Sequence, residues 1–169
     1  MPTAADVAQC TSIMVDEPLH GMIVIATDGT HDSDGAVRAG VALGRQHDVR
    51  VELITIVETA GDSEFEGNSP RDMERATQRA IASREGELNA QRLRTSLADH
   101  EAPCTITVGH RVDEISRFAE RHDASLIVMG VGSHGVLARL LNRHTVMRVA
   151  AATAIPILAV PADGLPRHD

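Results

Sequence analysis

Aromatic side chains are nearly missing from this chain of 169 residues, which has no Trp, no Tyr and only two Phe, Phe65 and Phe118. The interior must be packed from the aliphatic groups that dominate its 43% hydrophobic fraction, and platforms on which nucleic-acid bases stack are scarce. Lysine is absent, so all 16 basic residues are Arg; this removes Schiff-base chemistry and the phosphate-loop lysine of a Walker-type nucleotide site. Cysteine is limited to Cys10 and Cys104, which have no metal-ligand spacing and form no disulfide framework. That suits a reducing compartment, and the expected location is the cytoplasm. No apolar run approaches ~20 residues, and the start of the chain carries Asp6, Asp16 and Glu17 in place of a basic stretch ahead of an apolar one. Neither a membrane span nor a signal peptide is expected. Positive charge is short as well: a net charge of -8 argues against a nucleic-acid backbone or an anionic membrane as the main partner. A small molecule or another protein is the expected partner.

What the chain does contain is a strict alternation of apolar runs and helical patterns. The length fits one domain able to bury roughly 70% of its unfolded surface. Residues 21–27, "GMIVIAT", form a continuous apolar run of the kind found in strands buried on both faces, and it ends at "DGTHDSDG". Ala36, Val37, Gly40, Val41, Leu43 and Gly44 then recur with helical spacing, with Asp32, Ser33 or Asp34 as the cap. Residues 50–57 read as a second strand and residues 58–69 as a polar loop. Ser69-Pro70 opens a long second helix whose packed face is predicted to carry Met73, Ala76, Ala80, Ser83, Gly86, Ala90, Leu93 and Leu97. A third strand ("APCTITV"), a third helix over 112–122, a fourth strand ("SLIVMG"), a fourth helical region broken between residues 141 and 146, and a fifth strand over 155–160 complete the order.

Five strands separated by helices predict a flavodoxin-like, Rossmann-like α/β domain: an open parallel five-stranded sheet with helices on both faces. Building outward from the first strand and returning to its other side gives the strand order 3-2-1-4-5. Residues 1–20 then form a poorly ordered leader, 21–161 the domain and 162–169 a fraying tail. Ligands of such sheets bind beyond the carboxyl ends of the strands at the switch point, here after strands one and four, at Thr27-Asp28-Gly29-Thr30 and Met129-Gly130-Val131-Gly132.

The second of these segments belongs to "MGVGSHG", in which Gly130, Gly132 and Gly135 spell G-x-G-x-x-G. A dinucleotide fingerprint requires an acid ~20 residues on, at the end of the next strand. Here the next strand leads only to Asp163, so that reading fails. Asp28 sits either in a simple Asp-Gly turn or in a binding role, and its place at the switch point favours binding. The nine histidines are scattered, with no H-x-x-x-H pair and no nearby cysteine ligand, so no metal site is expected. No nucleophile elbow, carboxylate pair or Ser or Cys with an evident base is visible, so no catalytic residue is assigned.

The run "MIVIATDGT", the stretch "HRVDEISRFAERHDASLIVMG" and the closing "IPILAV" together resemble the universal stress protein (UspA-like) family over about residues 21–161. The resemblance implies a homodimer, often paired through the fifth strands, and in some members an ATP site. In those members the loop after strand four follows G-x2-G-x9-G-[ST], holding phosphates on amides and a hydroxyl, while residues after strands one and two hold adenosine. Carried over without gaps, the adenosine side is Ala26, Thr27, Asp28 and Val57. The phosphate side is Gly130, Ser133, Arg143 and His144 at the pattern positions, with Met129 and Gly132 beside Gly130. Ser133, Arg143 and His144 depart from the pattern. The last two either meet an anion through their side chains or fill the space of a triphosphate, and the second is favoured because long side chains lose entropy that backbone amides do not. Thr145 has its own role as cap of the helix that follows.

The leading reading is a non-enzymatic stress-response protein, a dimer whose crevice between strands one and four takes ATP or another adenine nucleotide. Binding then acts through dimer contacts or through the loop at 58–69. The rivals are an ATP-hydrolysing relative, at most a weak ATPase, and a dimerisation module with a degenerate crevice.

Overall fold

The computed structural model describes residues 19–58, 69–97, 102–132 and 136–162, with the side chains of 136–143 excepted. Five strands, β1 (Met22–Ala26), β2 (Arg50–Val57), β3 (Cys104–Val108), β4 (Ala124–Val131) and β5 (Ile157–Pro161), alternate with helices α1 (Asp34–His47), α2 (Pro70–Thr95), α3 (Arg111–Arg121) and α4 (Val136–Ala152). All strand pairs are parallel, and the order is β3-β2-β1-β4-β5, as the alternation predicts.

The central strand is apolar at every position because both of its faces are covered. Met22, Val24 and Ala26 point to a layer formed with Val112, Ile115, Phe118 and Ala119 of α3 and Val149 of α4. Ile23 and Ile25 point to the other layer, with Ala36, Val37 and Val41 of α1. Each layer is almost wholly aliphatic, and Phe118 is the one described aromatic in it. Leu19, which the sequence places in the leader, packs against the α1 layer.

Two expectations are corrected. The fourth helical region is unbroken: α4 runs through Leu141, Asn142, Arg143, His144 and Thr145, so Thr145 caps nothing. None of these residues is Gly or Pro, each costs only a few tenths of a kcal/mol in a helix, and extending a helix is easier than nucleating a second. Leu97, just past the helix, is buried as expected, but the face assigned to α2 itself is wrong. Its buried residues are Leu88 and Gln91, whereas Met73 and Leu93 are 43% and 83% exposed, and Ala76, Ser83, Gly86 and Ala90 are exposed beside them. A stripe of Ala, Ser and Gly offers too little apolar area to decide which way a helix turns. The face that packs is Arg84, Leu88, Gln91 and Thr95, held by polar anchors.

Candidate functional site

The site begins where β1 stops. After Ala26 the chain keeps one more sheet bond, from Thr27 N–H to the Ile54 carbonyl at 3.0 Å, and then turns at Asp28-Gly29. Gly29 has φ +78°, and a Cβ there would lie 2.8 Å from Glu87 Cβ and 3.0 Å from its carbonyl carbon. The turn therefore needs glycine twice over, for its left-handed backbone and for the close approach of α2. A 3-10 turn at His31–Ser33 leads into α1, and its residues hold the loop from inside.

Thr27 and Ser33 are buried and lie 2.8 Å apart through their hydroxyls. Thr27 donates to Gln91 Oε1 at 2.8 Å, and Gln91 Nε2 donates to Ser33 Oγ at 2.9 Å and Asp34 Oδ1 at 3.0 Å. Arg94 completes the clamp: its Nε donates to Asp34 Oδ2 at 2.8 Å and its Nη2 to the Gly29 carbonyl at 2.8 Å. Almost three turns before Arg94 on α2, Arg84 Nη1 donates to the Asp28 carbonyl at 2.8 Å. The far helix and the loop after β1 are thus one polar unit, which explains why polar residues occupy the buried face of α2.

Asp28 uses one carboxylate oxygen for the protein. Its Oδ1 accepts from the Thr30 amide at 3.0 Å, the Thr30 hydroxyl at 2.7 Å and the Ser33 hydroxyl at 2.9 Å. Burial pushes this carboxyl up, but the bonds from Thr30 and Ser33 and the charge of Arg84 outweigh it and hold the pKa below the usual carboxylate value. Asp28 is therefore ionised at neutral pH. Among the described residues Oδ2 has no hydrogen-bond partner, which leaves a charged acceptor at the lip of the sheet. Asp34 behaves alike: burial raises its pKa, while hydrogen bonds from Arg94 and Gln91 and the charges of Arg94 and His31 bring it below the ordinary value.

Around Asp28 lies a small cleft, open on one side. Its volume is about 60 Å³, less than that of sites that enclose a whole small molecule, so it is a narrow slot. Its floor is Ala26, Ile56, Ile115 and Met129, and its polar rim includes Asp28, Arg84 and Arg111. Gly130 closes one side. A Cβ there would stand 3.0 Å from both the Asp32 carbonyl and Ser33 Cα, so this glycine lets the end of β4 approach the 3-10 turn.

Of the residues singled out from the sequence, Ala26, Thr27, Asp28, Met129 and Gly130 meet in this cleft. Val57 is buried at the end of β2, and Ile56 takes the place in the lining. Gly132 is buried just past β4; Ser133, like His134 and Gly135, lies outside the described residues. Arg143 and His144 lie within α4 rather than on a loop; His144 is exposed, and the Arg143 side chain is outside the description. Arg84, Gln91, Arg94 and Arg111 were missed. Gln91 and Arg94 follow the buried Leu88 on α2, but their local spacing does not mark them, because what they bond to lies some 60 residues away in the chain. Among the described residues no group of His, Cys, Asp or Glu could hold a metal ion, and no helix is long and apolar enough to cross a membrane.

The model of the universal stress protein family matches residues 21–161. The chain belongs to the universal stress protein family. Solved structures of this fold include the universal stress protein UspA from Lactobacillus plantarum, with a TM-score of 0.68 at 14% identity over 85% of this chain and 99% of that one. A universal stress protein in complex with cAMP gives a TM-score of 0.53 at 18% identity, covering 85% of this chain and 98% of the other. The universal stress protein from Archaeoglobus fulgidus in complex with dAMP gives 0.50 at 18%, over 83% and 98%. No curated protein sequence matches the chain.

Proposed function

We propose that this universal stress protein is a binding protein whose crevice between β1 and β4 takes an adenine nucleotide. The observation that carries the reading is Asp28, ionised and with one carboxylate oxygen unspent at the switch point of the sheet. A charged acceptor beside a narrow apolar slot suits a flat base or a sugar that brings amino or hydroxyl donors. The relatives in complex with cAMP and dAMP carry adenine mononucleotides on this fold, which supports the same ligand class here. In this reading the pocket walls of Ile56, Ile115 and Met129 take the base, and Asp28 fixes its orientation. The protein acts as a homodimer joined at the β5 edge, and binding, not turnover, is its activity.

Mass spectrometry of the purified, heat-denatured protein tests the ligand directly, with AMP, cAMP or ATP expected in the released fraction. If nucleotide is lost on purification, thermal shift with added nucleotide replaces it, since ligand at about 100 times its Kd stabilises by roughly 2.7 kcal/mol. Asp28→Ala should abolish either signal. No released nucleotide together with no thermal shift would rule the reading out.

A further inference from the structure

Two guanidinium groups enter the crevice from helices that play no part in the glycine-loop pattern. Arg84 comes from α2 and Arg111 is the first residue of α3, and both line the cleft. Each spends a single nitrogen on the protein. Arg84 Nη1 donates to the Asp28 carbonyl at 2.8 Å and to Glu87 Oε2 at 2.6 Å, and Arg111 Nη2 donates to Glu58 Oε2 at 2.7 Å. An arginine offers five N–H donors in a planar fork. Among the described residues, Nε and Nη2 of Arg84 and Nε and Nη1 of Arg111 have no acceptor.

The Arg111–Glu58 pair is also easy to break. Its side chains are 36% and 48% exposed, and ion pairs that exposed hold weakly, so an anion that engages the unspent nitrogens can displace Glu58. Meanwhile α4 is continuous through residues 143 and 144, whose amides lie beyond the first turn and bond to the turn before them. Those two positions offer no free amides for a second and third phosphate.

We propose that Arg84 and Arg111 together hold the one phosphate of an adenine mononucleotide, and that the crevice prefers this ligand to ATP. The proposal rests on the adenine-nucleotide reading given above. The ligand is bound at two poles: its amino or hydroxyl donors face Asp28, and its anion faces the two arginines. Asp28 and Asp32 lie in the same lining and repel an anion, so the phosphate needs both guanidinium groups to settle there.

Titration calorimetry on the full chain with adenosine, AMP and ATP tests this. AMP should bind at least tenfold more tightly than adenosine, and ATP no more tightly than AMP. Arg84→Gln and Arg111→Gln should each weaken AMP about tenfold, the scale of one charge-assisted hydrogen bond. Arg111→Gln should leave adenosine binding unchanged, which also serves as the check that it folds, whereas Arg84→Gln, which also removes a bond to the Asp28 carbonyl, should weaken AMP more than adenosine. Glu58→Gln should strengthen AMP binding, because a competing carboxylate is removed. Equal affinity for adenosine and AMP, or arginine variants that weaken both alike, overturns the arginine assignment and leaves the adenine reading standing. ATP binding more tightly than AMP overturns the preference for one phosphate. If neither adenosine nor AMP binds, the adenine reading fails and inorganic phosphate decides the rest. A thermal shift with phosphate that both arginine variants abolish keeps the anion site, and no shift overturns it.

Discussion

Asp34 stands at the first position of α1 with its side chain 5% exposed, and Arg94 reaches it from the last turn of α2. The carboxylate therefore fastens the loop after β1 to a helix 60 residues later in the chain. Its pKa is lowered in the fold, which fixes the sign of its pH dependence. The stabilisation is complete above the unfolded value of ~3.9 and is lost as pH falls through the lower folded value. Asp34→Asn should cost roughly 2 kcal/mol at pH 7, the scale of a hydrogen bond to a charged group. That difference should shrink steadily below about pH 4. Urea unfolding of both proteins at pH 7, 4 and 3 measures it, and a difference that stays constant across the three would mean that the Asp34 charge contributes nothing. Such residues are hard to read from a sequence. Asp28 and Gly130 are legible because they stand at the ends of apolar runs. Asp34, Gln91 and Arg94 matter through each other, and a pairing across some 60 positions leaves no mark in local spacing.

Between the elements, α2 is the one whose sequence misleads most. Its start is legible: Ser69 caps it by accepting from the Asp72 amide at 3.3 Å, with Pro70 at the first helical position. Its orientation is not, because the side that packs is polar and the side facing solvent is the small-residue stripe. Gly86 sits on that outer side with nothing within 4 Å of where a Cβ would be. Gly86→Ala should therefore raise stability by about 1 kcal/mol, through helix propensity alone. A higher urea midpoint with an unchanged slope would show this, whereas a fall would mean that the outer face is packed against something. In α4 the misreading has another source. Polar residues in the middle of an apolar pattern look like a break, yet without Gly or Pro the backbone has no reason to leave the helix.

At the scale of the whole molecule, the sheet order and both aliphatic layers follow from the sequence, since continuous apolar runs and right-handed crossovers leave few alternatives. Chain–chain contacts have no such rule behind them. The proposed dimer uses β5, an edge strand paired only to β4, whose backbone groups on the open side invite a partner. Ala159 is exposed on that strand. Sedimentation equilibrium should give a dimer for the native chain and a monomer for Ala159→Arg, with the nucleotide response retained because Ala159, though paired with Met129, is not among the residues that line the crevice. A native chain that sediments as a monomer at every concentration would remove the dimer from the proposal.

The crevice also has a place in time. It exists only where Ala26 of β1 lies beside Met129 of β4, and roughly a hundred residues must be looped out before these two meet. Contacts of such long range carry the larger closure entropy and form late. The α1 side of β1 can assemble from neighbouring sequence first, while the ligand site waits for the fourth strand. A ligand that bridges the two strand ends thus holds together the join that is made last. Its effect falls on the rate at which the finished molecule comes apart, and little on the rate at which it forms.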